Sequence, residues 1–159
     1  MILLSQLEAE LIIKVVVSGI FGAMIGIERK GGPRGAGMRT FSLICMGSAL
    51  FTVISVWGFS SGEPSRIAAQ IVTGIGFIGA GVIWRQREEA IHGITTAAAI
   101  WVSSAVGMSV GVGFYALSFA VTVFTMLVLS RGHPISKAKE NIQSKFAPEC
   151  EGEPHSHPE

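Results

Sequence analysis

Residues able to do chemistry are few in this sequence, and they gather at two places. Glu28 and Arg29 close one apolar stretch, Arg39 and Thr40 open the next, and Thr95 and Thr96 open a later one. If these stretches are helices, the second and fourth point their positive dipole ends to the same side as this cluster. Together with Arg39 they suit an anion, and Glu28 is an internal carboxylate able to occupy the position. The Thr95 and Thr96 hydroxyls are placed to cap free backbone N–H groups. Two readings stand: an ion-pair and capping network that holds the intervening loop, or a regulatory or ligand cluster. Gly31, Gly32, Gly35 and Gly37 would leave that loop mobile enough to close over a partner. The second place is a helical face, because Arg66, Gln70, Thr73, Phe77 and Gly81 recur at three- and four-residue steps. A buried amide in a membrane span must find partners. This polar face (Arg66, Gln70, Thr73) is therefore expected to look inward, as interhelical glue or as the lining of a cavity.

Catalysis and metal binding find little support. Aspartate is absent, so no Ser/His/Asp set exists. Mg²⁺ sites draw on carboxylates and phosphate oxygens, and no apolar stretch carries an acid in its interior. No enzyme, cofactor or metal site is expected. His155 and His157, near Cys150, Glu151 and Glu153, could chelate a soft ion loosely, while His92 and His133 fall in loops. Cys45 lies in an apolar stretch and Cys150 in a polar one, so no bridge between them is expected.

The elements that must position these residues follow from composition. Of 159 residues only 14% are charged, against roughly 25% in a typical soluble domain. Mean hydropathy is +0.54. Residues 40–59, 67–84 and 93–130 hold no charge at all. A soluble chain of this size has too little interior to hide them. The net charge of +1 leaves no footprint for a nucleic acid. The start of the chain carries Glu8 and Glu10 and no basic residue, unlike a secretory signal, so the first apolar stretch is expected to be retained.

A bilayer asks about 20 apolar residues of each helix. The chain then reads as an all-α integral membrane bundle of five transmembrane helices, over 11–27, 40–59, 67–84, 94–112 and 114–130. Lys14 snorkels outward near the start of the first. Barrel strands would alternate in polarity, and these runs do not. Ten basic residues flank one side and Arg66 alone the other, with Lys14 inside a span. By the positive-inside rule the N-terminus lies outside and the C-terminus in the cytosol. Residues 1–134 form the membrane domain, and 135–159 form a polar, mostly disordered cytosolic tail with a short surface helix over 137–146. Small residues repeat at helical spacing: Ser18, Gly22 and Gly26; Ser103, Gly107 and Gly111; and Gly74, Gly76, Gly79 and Gly81. In lipid such residues bring helices into close contact, within the bundle or across a homo-oligomer or partner interface.

Several of these residues also resemble a known family. Ile27-Glu28-Arg29 followed by Gly35-Ala36-Gly37-Met38-Arg39-Thr40 is similar to the signature of the MgtC/SapB family of bacterial membrane proteins. So are the run from Arg66 through Gln70, Gly74, Gly76, Gly79 and Gly81 to Ile83, and Gly93-Ile94-Thr95-Thr96-Ala97-Ala98 followed by Trp101. The resemblance covers about residues 11–130. Thr95 and Val102 stand where virulence-associated members carry Asn and Cys, and residues 135–159 are short of the folded cytosolic domain those members carry.

The resemblance implies a multi-pass protein of the bacterial plasma (inner) membrane, linked to growth in low magnesium and survival in macrophages. For some members it implies restraint of the F1Fo ATP synthase. The function expected is a non-enzymatic regulator or partner of other membrane machinery within magnesium or envelope-stress homeostasis. The alternative is a transporter or channel for Mg²⁺ or another small solute. The expected partners are the lipid bilayer and another membrane protein, or a second copy, and no nucleic acid.

Overall fold

A run rich in Val, Ile and Phe would favour strands in water. In hydrocarbon every backbone N–H and C=O must be satisfied within its own segment, and an isolated run can do so only as a helix. The computed structural model describes residues 2–29, 36–59, 63, 65–85 and 91–130, and it holds five helices. They are α1 (Ile2–Glu28), α2 (Met38–Trp57), α3 (Ser65–Gly81), α4 (Ile94–Val112) and α5 (Tyr115–Ser130). By length and composition, 6–28 of α1 together with α2 and α4 are apolar and long enough to cross a membrane. α5 is apolar and 16 residues long. The tail over 135–159, with its expected surface helix and its Cys150, His155 and His157, lies outside the described residues.

Several boundaries differ from the sequence expectation, two of them by three residues or more. α1 begins at Ile2, well before residue 11, because Glu8 and Glu10 sit exposed on its surface and do not stop it. α3 ends at Gly81, not at residue 84. Between α3 and α4 the chain forms a small antiparallel strand pair, β1 (Trp84–Arg85) with β2 (Ile91–His92), in the register Trp84↔His92 and Arg85↔Ile91. The pair closes what reads in sequence as a plain loop. It delivers the chain to Gly93, which starts α4 with φ at +90°. A Cβ at Gly93 would strike the carbonyl oxygen of Val82. Only glycine fits there, on both grounds. The hairpin between α4 and α5 falls where the glycines suggested. Gly113 takes φ +107° and donates its N–H to the carbonyls of Ser109 and Val110, and Phe114 N–H reaches Ser109 O at 2.8 Å. This is a left-handed C-terminal cap.

α2 is the centre of the bundle, packed between α1 and α4. The core is small: Ile25, Phe41, Cys45, Ala49, Ile100, Val106 and Val110 are buried. α5 lies against α1 and α4, with Phe21 and Phe119 tilted at 6.2 Å between ring centroids. α3 rests on α4 and touches α2 more lightly, and it buries only Ile75 and Gly79. The outer faces carry large apolar side chains, with Phe77 84% exposed. That is the surface a bilayer accepts and water does not.

Lys14 departs from its expected role at a lipid-facing edge. It is only 4% exposed. Its Nζ turns one helical turn back to Glu10 Oε1 at 3.2 Å and stands 5.7 Å from the Trp57 ring centroid. The charge does reach toward the helix start, but it does so sheltered between α1 and the end of α2.

Candidate functional site

Helix-helix contact without a hydrophobic drive depends on close approach, and four glycines supply it. A Cβ at Gly22 would meet the Phe41 carbonyl, and one at Gly26 the Met38 backbone, so α1 lies directly on α2. On the other flank a Cβ at Gly107 would meet the Cys45 carbonyl. One at Gly111 would stand 2.8 Å from Thr52 Cβ and 2.9 Å from Ala49 O. These contacts carry polar cross-links. Cys45 Sγ donates to Ser103 O at 3.0 Å, and the Ser48 and Ser104 hydroxyls stand 3.0 Å apart. The α2 face of Phe41, Cys45, Ser48 and Thr52 was not singled out in the sequence, although its four- and three-residue spacing is visible there.

The glycines of α3 behave differently, and the expectation of a crowded third helix does not hold within the chain. Gly74, Gly76 and Gly81 have no atom within 4 Å of the place a Cβ would take. Gly79 meets Ala97 at an ordinary 3.7 Å. α3 stands at the rim of the bundle, so Gly74, Gly76 and Gly81 face outward while Gly79 is buried against α4.

The same placement corrects the inward polar face. Arg66, Gln70 and Thr73 are exposed. Thr73 Oγ1 bonds its own helix at Ala69 O, 3.1 Å away. Gln70 forms part of the wall of an open groove between α2 and α3. Periodicity places these residues on one face, but that face lies away from the core.

At the other polar place, the end of α1 and the starts of α2 and α4 meet. The Arg29 guanidinium donates to Thr96 Oγ1, tying the end of α1 to the first turn of α4. Thr96 is 5% exposed. It therefore acts as an acceptor for Arg29 and not as a helix cap. α4 is capped by Gly93 and α2 by Gly37, neither with a side-chain hydrogen bond. Thr95, Arg39 and Thr40 are exposed, and Glu28 is half-buried. Among the described residues no ion pair joins Glu28 to Arg29 or Arg39. The structure thus joins Arg29 to Thr96 and leaves Arg39, Thr40 and Thr95 on the surface around them. Among the described residues, two helix starts without a side-chain cap, two arginines and one carboxylate give this end a net positive character.

The bundle's buried polar groups are spent internally. Ser18 donates to Val15 O, Thr52 to Ser48 O, Ser103 to Ala99 O, Ser118 to Phe114 O and Thr122 to Ser118 O. Among the described residues no buried side-chain nitrogen or oxygen lacks a partner.

Comparison with known proteins gives a consistent result. YhiD of Escherichia coli K12, described as "Putative magnesium transporter YhiD", is 47% identical over 138 residues, covering 82% of this chain and 64% of its own length. Protein MgtC of Brucella abortus is 40% identical over 121 residues, covering 76% of this chain and 50% of its own. Protein SapB of Bacillus subtilis is 33% identical over 135 residues, covering 80% of this chain and 58% of its own. The chain therefore spans between half and two-thirds of the length of these relatives. No solved structure matches it. The profile of the MgtC family matches residues 15–138. By that match and these identities, the chain belongs to the MgtC family.

Proposed function

We propose that this protein is a non-enzymatic regulator of the bacterial inner membrane, linked to magnesium or envelope-stress homeostasis, that acts by contacting other membrane machinery such as the F1Fo ATP synthase. In this reading all five helices cross the bilayer, with the N-terminus outside and the C-terminus in the cytosol. The basic residues around Arg29 and Arg39 then face the cytosol. Arg39, Thr40 and Thr95, grouped around the Arg29–Thr96 link with Glu28, form the surface offered to the partner.

One observation carries the reading. Among the described residues every buried side-chain nitrogen or oxygen has a partner within the chain, the one buried ionisable nitrogen, Lys14 Nζ, being paired with Glu10. Mg²⁺ holds its waters tightly and is passed along hard oxygen ligands, and intramembrane transport paths are built from ionisable residues facing a cavity. Of the described acids, Glu28 ends α1, Glu63 precedes α3, and Glu8 and Glu10 are exposed on the first turns of α1. Photo-crosslinking in native membranes tests the proposal. A crosslinker at Arg39 or Thr95 should yield a discrete adduct with another membrane protein in cells starved of magnesium, and one at Phe124 should not. Equal labelling from all three positions would refute it.

A second reading, transport of Mg²⁺, is favoured by the description of the Escherichia coli relative. It requires a path through or beside the bundle, and flux through the purified protein decides between the two.

A further inference from the structure

The groove between α2 and α3 has a volume of about 810 Å³ and runs along both helices from Thr40 and Ile78 at one end to Ile67 and Gln70 at the other. Leu43, Ile44, Phe51, Ile71 and Ile75 make its wall apolar. Its floor is kept wide by Gly47 and Gly74, which have nothing within 4 Å of a Cβ position. Elsewhere in the chain, Gly22, Gly26, Gly107 and Gly111 bring one backbone onto another. Here the missing side chains leave room that no part of the described chain fills. At the Gln70 end the groove continues into a smaller recess of about 480 Å³, which shares Ile67 and Gln70 and adds Glu63 and Arg66.

The polar groups at that end are what identify an occupant. Glu63 and Arg66 are both exposed, and among the described residues neither takes part in an ion pair. The Gln70 carboxamide lies one helical turn deeper, about 6 Å along the axis, and no hydrogen bond is found for it among the described residues. An amide facing hydrocarbon has to be satisfied. The slot thus offers, in order, an anionic and a cationic group in one recess, then a neutral donor and acceptor, then a long apolar channel. A transmembrane helix of a partner or of a second copy has its backbone already satisfied and brings nothing for this sequence of groups. A zwitterionic lipid matches each of them.

We propose that the groove is a binding site for a zwitterionic aminophospholipid. Its phosphate lies on Arg66, its ammonium on Glu63, its ester carbonyl takes the Gln70 amide, and its acyl chains fill the channel over Gly47 and Gly74. In the orientation proposed above the headgroup belongs to the outer leaflet. The site rests on α3 crossing the bilayer beside α2, and it does not depend on the regulatory role.

Native mass spectrometry of the full-length protein tests it, with palmitoyl-oleoyl phosphatidylethanolamine and phosphatidylglycerol added back after delipidation. The wild type should retain one phosphatidylethanolamine and prefer it over phosphatidylglycerol by roughly tenfold, the worth of one hydrogen bond to a charged group. Gly47→Leu with Gly74→Leu should abolish retention, whereas Gly76→Leu, equally unobstructed but outside the groove lining, should leave it intact. Glu63→Gln, at an exposed position, should erase the preference between headgroups without touching the core. Unchanged retention in the double variant, or no headgroup preference in the wild type, overturns the proposal. So does an oligomer of the wild type that Gly74→Leu dissociates, because the groove would then hold a second copy. Lost lipid with normal growth in low magnesium leaves the site standing and separates it from the regulatory reading.

Discussion

Gly107→Ala adds a single methyl group at the tightest point of the α2–α4 contact, and its cost can be worked out from the geometry. The new Cβ falls on the Cys45 carbonyl oxygen and 2.9 Å from Cys45 Cα, both backbone atoms that have no rotamer to yield. α2 and α4 must move apart. Overpacking of this kind costs about 1–3 kcal/mol. The separation also stretches two cross-links that now stand at 3.0 Å, Cys45–Ser103 and Ser48–Ser104. Interhelical hydrogen bonds in bilayers are worth about 0.6 kcal/mol on average, so losing both adds about 1 kcal/mol. The expected loss is roughly 2–4 kcal/mol. Gly76→Ala makes the same chemical change where nothing lies within 4 Å. It should stay within about 1 kcal/mol of the wild type, in the direction set by helix propensity. Reversible unfolding of the purified protein in bicelles, followed by steric trapping, measures both. Equal stability of the two variants would refute the packing argument, as would a Gly76→Ala that is the more harmful.

Other outcomes follow from the same contacts. Ser48→Ala and Ser104→Ala should each destabilise by about 0.6 kcal/mol and the double variant by little more than either, because they share one bond; additive losses in the same unfolding assay would contradict this. Arg39→Ala, at an exposed position, should leave membrane abundance near normal, as exposed charges contribute about 0–1 kcal/mol, and should still abolish growth support in low magnesium. Immunoblots and growth curves of the same strains check both halves, and normal growth would remove Arg39 from the partner surface. Thr96→Val leaves the Arg29 guanidinium without its acceptor and should reduce abundance as well as growth; abundance equal to that of Arg39→Ala would show the link to be dispensable. A membrane-impermeant thiol reagent should label Phe59→Cys from outside intact cells and reach Cys150 only after the inner face is opened; labelling of Cys150 in intact cells would overturn the proposed orientation.

The sequence makes some of this bundle plain and conceals the rest for identifiable reasons. The uncharged run 93–130 and the turn signal at Gly111-Val112-Gly113 place α4 at 94–112, as in the structure, where Gly93 and Gly113 take left-handed conformations at its two ends. Gly22, Gly26, Gly107 and Gly111 stand at four-residue spacing on faces that do meet α2. The direction of a face is harder. In water an apolar stripe marks the inside of a helix, but lipid is as apolar as the core, so the pattern of α3 fixes which residues share a face and not where it looks. Polarity alone points Arg66, Gln70 and Thr73 inward, whereas in the fold all three are exposed and Gln70 lines the open groove between α2 and α3. Spacing also says nothing about partners distant in sequence. The Arg29–Thr96 link spans 67 residues, and the proximity of Lys14 to Trp57 follows from the packing of α1 on α2. The α2 face of Cys45, Ser48 and Thr52 was legible by spacing but masked by its ordinary residue types.

The regulatory reading stands or falls on whether the bundle conducts its proposed ion. The most direct measurement is Mg²⁺ entry into liposomes holding the purified full-length protein, followed with an internal magnesium-sensitive dye and compared with protein-free liposomes. The account predicts no entry above the protein-free rate, because the buried hydroxyls are hydrogen-bonded within the bundle and none of the described acids is buried. Entry well above that rate, abolished by Gln70→Ala or Glu28→Ala, would contradict it and make the protein a transporter.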